Sequence, residues 1–158
     1  MDNDKLEDEM HAMLRATYMR REYAALTSLS DELQGMVFAP HDMSAYGDDV
    51  YKGVIFIRAR KSPWFLGAFP FTVVFPFKYP YECPVASFDK PLRSHPLLQN
   101  DHRTIPFEME YMSIGEATKV SLMLRLLKFT RALFTSEMLQ EHNAQVDLGQ
   151  CRQDVDRY

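Results

Sequence analysis

Apolar and polar positions alternate with a period of two near the middle of the chain, after Pro63 and Gly67. Successive side chains of a β-strand point to opposite faces, so this alternation predicts a strand with one large apolar face. Shorter β-branched and aromatic runs predict strands at Met36–Ala39, Tyr51–Arg58 and Val85–Phe88. The alternating apolar positions are Phe69, Phe71, Val73 and Phe75. Together these runs predict a four-stranded antiparallel meander.

Pro70 conflicts with the strand pattern around it. Proline has no N–H to donate to the hydrogen-bond ladder of a sheet, so we expect a bulge or an unpaired position there.

Apolar positions at steps of three and four residues predict an N-terminal helix. Asp4 and Glu7 form a candidate capping box at its start, and helical character should fade near Ser30 to Gly35. The apolar stripe consists of Leu6, Met10, Met13, Leu14, Met19, Tyr23 and Leu26. We interpret its methionines as flexible core filling.

A second capping box, Ser113 with Glu116, predicts the start of another helix after an irregular stretch that runs from Pro96 to Tyr111. Its apolar positions are Val120, Met123, Leu124, Leu127 and Phe134. The polar remainder, Thr135–Tyr158, predicts one or two further helices on the surface. The predicted architecture is α+β: an N-terminal helix, the meander and C-terminal helices in one domain, 1–158, with 135–158 as a C-terminal helical extension.

Composition and charge exclude several classes of protein. The formal charge of −4 provides no basic stripe for nucleic acid, and no apolar run approaches the length needed for membrane insertion. The acidic N-terminus lacks the order of a signal peptide. Cys83 and Cys151 are too few and too far apart for a disulfide framework, and the histidines show no metal-ligand spacing. We expect an intracellular, soluble protein with no cofactor and no metal site.

The central stretch resembles the ubiquitin-conjugating enzyme (E2) fold. That family combines Ser/Thr-Pro-aromatic, a glycine, an alternating strand, Phe-Pro-x-x-Tyr-Pro and His-Pro in this order. The matching positions are Pro63, Trp64, Gly67, Phe75, Pro76, Tyr79, Pro80, His95 and Pro96. The resemblance covers about residues 5 to 134 and implies that these positions are structural.

The chemistry of the resembling family is missing from this chain. E2 enzymes carry ubiquitin as a thioester on a cysteine about ten residues after His-Pro, because a thiolate is both a good nucleophile and a good leaving group. That window contains Thr104, Ile105 and Pro106, and Leu97 replaces the asparagine that follows His-Pro in the family. The resemblance therefore implies a non-catalytic E2 variant, not an enzyme.

At a finer level the chain is similar to the Fused Toes (AKT-interacting) family, which also lacks the cysteine. The matching residues are Gly53–Arg58, Cys83-Pro84, Phe88-Asp89, Pro91 and His95-Pro96-Leu97. Members of that family bind Hook-type coiled-coil adaptors in vesicle transport. The resemblance implies an adaptor module in the cytoplasm, with the nucleus left open as a second location.

Three functions stay open on the sequence. The first is a protein-interaction adaptor in vesicle transport or in the ubiquitin system. The second is a ubiquitin-binding cofactor of an active E2. The third is an active ubiquitin-conjugating enzyme that uses a displaced cysteine, Cys83 or Cys151.

E2 enzymes meet their partners through the first helix and two loops, which implies candidate partner-binding residues here. Tyr81 follows Tyr-Pro and supplies an aromatic anchor. The other candidates are Arg15 on the first helix and Met112, Ser113 and Ile114 before the last long helix.

Overall fold

The computed structural model describes residues 3–28, 37–38, 50–114 and 122–158, with the side chains of the first helix described as far as residue 22. Five helices and four strands occur in these ranges. The helices are α1 (Asn3–Ser28), α2 (Glu108–Ser113), α3 (Leu122–Ala132), α4 (Ser136–Glu141) and α5 (Leu148–Arg157). The strands are β1 (Val37–Phe38), β2 (Val50–Phe56), β3 (Ala68–Val74) and β4 (Val85–Phe88).

The sheet is antiparallel, and its body consists of β2, β3 and β4. The two residues of β1 pair with the outer edge of β2, opposite Ile55 and Val54. The α+β class, with an N-terminal helix, an antiparallel sheet and C-terminal helices, is thus confirmed. The predicted bounds of β4 match those observed. Strand β2 begins one residue earlier and ends two residues earlier than predicted, and β1 is described at Val37–Phe38 within the predicted Met36–Ala39.

The apolar face predicted for β3 is the centre of the core. Phe69, Phe71 and Val73 are fully buried, and Phe75 is buried just beyond the end of the strand. Phe134, which follows α3, stacks on Phe69 with ring centroids 5.3 Å apart. The same ring also makes edge contacts with Phe88 and Trp64.

Pro70 fits the sheet without a bulge. The register of β2 with β3 is continuous, and Val54 lies opposite Pro70. On the other side, the last Cα pair of β3 with β4 is Phe71 with Phe88. The Asp89 N–H donates to the Pro70 carbonyl oxygen over 3.0 Å, so the missing proline N–H lies at the end of this ladder.

The apolar stripe predicted for the first helix is only partly correct. Met19 is buried, but Leu6, Met10 and Met13 are exposed to 49%, 53% and 71%. The interpretation of these methionines as core filling is therefore wrong for Met10 and Met13. The side chains of Tyr23 and Leu26 lie outside the described residues, as do Ser30 to Gly35. Asp4 lies inside the first turn, because α1 begins at Asn3.

The second predicted capping box is also wrong at Ser113. This residue ends the short helix α2, and its hydroxyl donates to the carbonyl oxygen of Glu110 over 2.7 Å. Glu116 and Val120 lie outside the described residues. Met123 and Leu127 are buried as predicted, whereas Phe134 is buried beyond the end of α3.

The segment 135–158 forms two helices that pack against the rest of the protein. Leu139 of α4 and Cys151 of α5 are buried. The Tyr158 ring makes an edge contact with Phe69 at 5.1 Å between centroids, and its hydroxyl accepts from the Lys90 N–H over 2.7 Å. The extension thus has a side that is buried against the protein, although most of its sequence is polar.

Candidate functional site

The His-Pro segment is fixed in the interior through its histidine. His95 is buried, and its Nε2 lies 2.8 Å from the Leu133 carbonyl oxygen. The Leu97 N–H donates to Nδ1 over 3.2 Å. Because Nδ1 accepts this bond, the ring proton belongs on Nε2, where it is donated to Leu133. The Trp64 ring stacks on the imidazole with centroids 4.5 Å apart.

These contacts remove His95 from acid–base chemistry. Burial lowers the pKa of His95 to about 4, and the hydrogen bond to Leu133 opposes this shift. The imidazole is therefore neutral at physiological pH, with both nitrogens engaged.

The residues before and within the segment Thr104–Pro106 form a turn built on Asp101. This carboxylate accepts from the Arg103 N–H over 2.9 Å and from the Thr104 N–H over 2.8 Å. The Thr104 hydroxyl donates to it over 2.5 Å. These bonds lower the pKa of Asp101 to about 2, because they favour the charged form.

The rest of this segment is attached to the sheet. Thr104 bridges to Ser87 of β4, and the Ile105 N–H donates to the Ala86 carbonyl oxygen over 2.9 Å. The Ile105 side chain is buried, and Pro106 is half-buried. The segment thus presents the Thr104 hydroxyl, which is bonded to the Asp101 carboxylate, while the apolar side chain of Ile105 is buried.

The two cysteine thiols lie in surroundings that disfavour the thiolate. Cys83 is half-buried, and its thiol donates to the Pro84 carbonyl oxygen over 3.3 Å. Burial, with a contribution from Glu108, raises the pKa of Cys83 to about 11. Cys151 is fully buried, and burial raises the pKa of its thiol as well. Reactive cysteines show the opposite shift.

A buried polar chain connects the His-Pro loop to the last helix. The Trp64 Nε1–H donates to the Ser94 hydroxyl oxygen over 2.8 Å. The hydroxyl and N–H of Ser94 both donate to the Asp154 carboxylate of α5, over 2.5 and 3.0 Å. Every member of this chain is buried, so α5 is part of the support for the loop.

An exposed aromatic surface lies where α1 meets the loop that follows β3. The Tyr81 ring is 51% exposed and makes an edge contact with Tyr18 at 6.4 Å between centroids. The Arg15 guanidinium lies 5.7 Å from the centre of the Phe77 ring. The candidates Tyr81 and Arg15 therefore belong to one surface.

The remaining partner-binding candidates lie at the end of α2, next to this surface. Tyr111 of α2 donates its hydroxyl proton to the Pro80 carbonyl oxygen over 2.9 Å, which joins α2 to the Tyr81 loop. Met112 is 73% exposed and Ser113 is exposed, whereas Ile114 is 7% exposed and packs in the core. The side chain of Ile114 is thus inaccessible to a partner in this arrangement.

A cleft of about 930 Å³ lies between α2 and the pair α3 and α4, and the candidate Ser113 is part of its lining. Its walls are mostly apolar, and its charged groups include both signs. Glu110 and Arg125 form an ion pair in it over 3.8 Å. Other residues in its lining include Leu97, Pro106, Met109, Leu124, Lys128, Phe129, Leu133 and Met138.

Glu22 is an important residue that the sequence did not single out. Its carboxylate is buried and accepts a short hydrogen bond from the Tyr79 hydroxyl and a bond of 3.2 Å from the Met123 N–H. Glu22 therefore joins α1, the Tyr-Pro loop (the loop after β3 that contains Tyr79 and Tyr81) and the start of α3. Burial raises the pKa of Glu22 to about 7. The periodicity of the helix places Glu22 off the apolar stripe, so the sequence pattern predicted an exposed side chain, and the structure buries it.

Within the residues that the structure describes, no three His, Cys, Asp or Glu side chains are grouped so that they could hold a metal ion. Within the same ranges no helix is long and apolar enough to cross a membrane.

The comparisons with known proteins give no assignment. No protein-family model matches the chain, and no curated protein matches it either.

Proposed function

We propose that this protein is a non-catalytic ubiquitin E2 variant that works as an adaptor, in vesicle transport or in the ubiquitin system. The observation that carries the proposal is the state of the thioester window. A helix, an antiparallel sheet and C-terminal helices surround a His-Pro segment, and the segment Thr104–Pro106 contains no thiol and is bonded to β4. Fold alone does not determine function, so the proposal depends on this site.

The surroundings of the two cysteines support the same proposal. A displaced nucleophile would need an accessible thiol with a lowered pKa, whereas burial raises the pKa of both Cys83 and Cys151. The aliphatic side chain of Leu97 has no hydrogen-bond donor for an oxyanion. Its backbone N–H is already donated to the His95 imidazole.

The exposed aromatic surface supports a binding function. Large aromatic side chains, arginine and methionine are enriched in the central parts of protein interfaces. Tyr81, Arg15 and Met112 provide these groups at the junction of α1, the Tyr-Pro loop and α2. The partners proposed for this surface are ubiquitin, an active E2 or a Hook-type coiled-coil adaptor.

The first experiment is a charging assay with ubiquitin, ATP and an activating enzyme, resolved on a non-reducing gel beside an active E2. We expect no ubiquitin adduct on this protein. An adduct that dithiothreitol removes would overturn the proposal, and the Cys83→Ser and Cys151→Ser variants would then identify the thiol.

The second experiment measures binding of ubiquitin, of an active E2 and of Hook-type coiled-coil segments to the full chain by calorimetry. For the true partner we expect Tyr81→Ala combined with Met112→Ala to weaken binding by about 30-fold, the effect of losing one hot spot. Leu148→Ala is the matched control, because Leu148 is 63% exposed on α5. If the wild type, the Tyr81→Ala/Met112→Ala variant and the Leu148→Ala control bind every partner with equal affinity, this surface is removed from the proposal.

A further inference from the structure

The described side chains of α1 that are buried or make ring contacts with the rest of the protein lie on one face of the helix. The His11 ring contacts Phe77 at 6.1 Å between centroids, and Tyr18 contacts Tyr81. Met19 and Glu22 are buried on the same side of the helix. Residues 3–10 are all exposed, so the first two turns of α1 extend beyond these contacts.

The opposite face of α1 carries an exposed apolar seam. Leu6, Met10, Met13 and Thr17 follow one another at steps of four, three and four residues, and all four are exposed. At 3.6 residues per turn they fall within an arc of about 60°. Alternating steps of three and four are the spacing of the contact positions in a coiled coil.

Charged residues flank this seam in a self-complementary order. Glu7 and Glu9 lie on either side of it near the N-terminus, and Arg20 and Arg21 lie beside it further along. All four side chains are exposed. A parallel pair of such helices would place glutamate against glutamate. An antiparallel pair centred near Leu14 places the glutamates of each helix beside the arginines of the other.

We propose that α1 pairs in antiparallel orientation with α1 of a second copy of this chain. The contact is centred on Met10, Met13 and Thr17 of the seam, and Leu6 lies level with the arginines of the other helix. The occupant is a second copy because the charge order of one helix complements the same order reversed, as a two-fold symmetric interface requires. Pairing covers the exposed methionines and leaves the Tyr81 surface open, since the two lie on opposite faces of α1.

Sedimentation equilibrium of the full chain over a range of micromolar concentrations tests the association. We expect a monomer–dimer equilibrium that Met10→Glu combined with Met13→Glu weakens by about tenfold or more, because two charges enter the apolar seam. Met109→Glu with Met112→Glu is the matched control, since both of these methionines are highly exposed on α2. A wild-type protein that is monomeric throughout, or a control variant that loses association equally, would overturn the proposal.

Charge reversal tests whether the helices pair through complementary charges. Glu7→Lys with Glu9→Lys, and separately Arg20→Glu with Arg21→Glu, should each abolish self-association, because each gives the four charges beside the seam a single sign. Mixing the two variants should restore a dimer that contains one chain of each. Failure of the mixture to associate, while circular dichroism shows both variants folded, would contradict this pairing.

Spin labels determine the orientation of the two helices. A label on an introduced cysteine, Lys5→Cys in a Cys83→Ser background, should lie on the order of 30 Å from its counterpart in the antiparallel dimer. A parallel pair would bring the two labels to roughly 10 Å, the distance between packed helices, and would overturn the proposed orientation.

Discussion

Glu22 is the residue on which the pH dependence of stability most depends. Its carboxyl has a reference pKa of 4.5 and a pKa of about 7 in the folded protein. Between these pH values the folded chain binds a proton that the unfolded chain has released, so the free energy of unfolding falls as the pH rises. A difference of about 2.5 pH units corresponds to about 3 kcal/mol.

Protonation of His95 changes the free energy of unfolding with pH in the opposite direction, over an overlapping pH range. Its pKa falls from 6.5 to about 4 on folding, so the unfolded chain takes up a proton first as the pH falls. The free energy of unfolding therefore rises with pH between about 4 and 6.5, by a similar amount. The two contributions oppose each other between pH 4.5 and 6.5.

Replacing Glu22 with glutamine should reveal the contribution of His95. We expect the free energy of unfolding of Glu22→Gln to rise between pH 4.5 and 6.5, relative to the wild type, and the difference to reach about 3 kcal/mol by pH 7. Urea unfolding at a series of pH values, followed through the single tryptophan Trp64, measures it. Glu82→Gln, at an exposed loop position, is the control, and parallel curves for all three proteins would contradict the assignment.

The sequence could not identify Glu22, because its role depends on two distant residues. Tyr79 and Met123 lie 57 and 101 positions away, and only the fold brings them to the carboxylate. The burial of Trp64 was easier to predict, since tryptophan side chains are highly buried on average.

Among the elements, strands were predicted more closely than helix faces. The alternation of apolar and polar residues along β3 determines which side chains face the core. The register with the neighbouring strands follows once that face is buried. The apolar stripe of α1 contains two environments: Met19 enters the core, while Met10 and Met13 lie on the exposed seam. Periodicity indicates that a helix has an apolar face, but it does not indicate what covers that face.

The position of α5 depends on a buried carboxylate, which the polar sequence of the extension did not reveal. Asp154 accepts both the hydroxyl and the N–H of Ser94, and Ser94 in turn accepts the Trp64 indole N–H. These donors lie in the interior, where an unmade hydrogen bond is unfavourable.

Removing this carboxylate should therefore loosen α5. We expect Asp154→Ala to lower the free energy of unfolding by about 3 kcal/mol, because it leaves the Ser94 N–H without its charged acceptor. Asp156→Ala, two residues further along the same helix at an exposed position, should change it by less than about 0.5 kcal/mol. Thermal unfolding and amide hydrogen exchange of residues 148–157 measure both effects, and equal values for the two variants would contradict the role of Asp154.

For the whole molecule, α1 separates two exposed surfaces. One surface contains Tyr81 and Arg15 and is proposed to bind partners, and the other is the seam proposed for self-association. Surfaces on opposite sides of one rigid helix can be occupied together, so a dimer would present two partner sites. Two linked sites bind a clustered partner more tightly than one site does.

The methionines report on this separation because they are distributed over both surfaces and the core. Diluting protein that carries ¹³C-labelled methionine methyl groups should shift the signals of Met10 and Met13, which lie on the seam. The signals of Met109 and Met112 on α2 and of Met19 in the core should stay in place, because the dimer contact does not reach them. Single Met→Leu variants assign the signals. Shifts at Met112 that are as large as those at Met10 would place the dimer contact on the Tyr81 side, and the two surfaces would then compete.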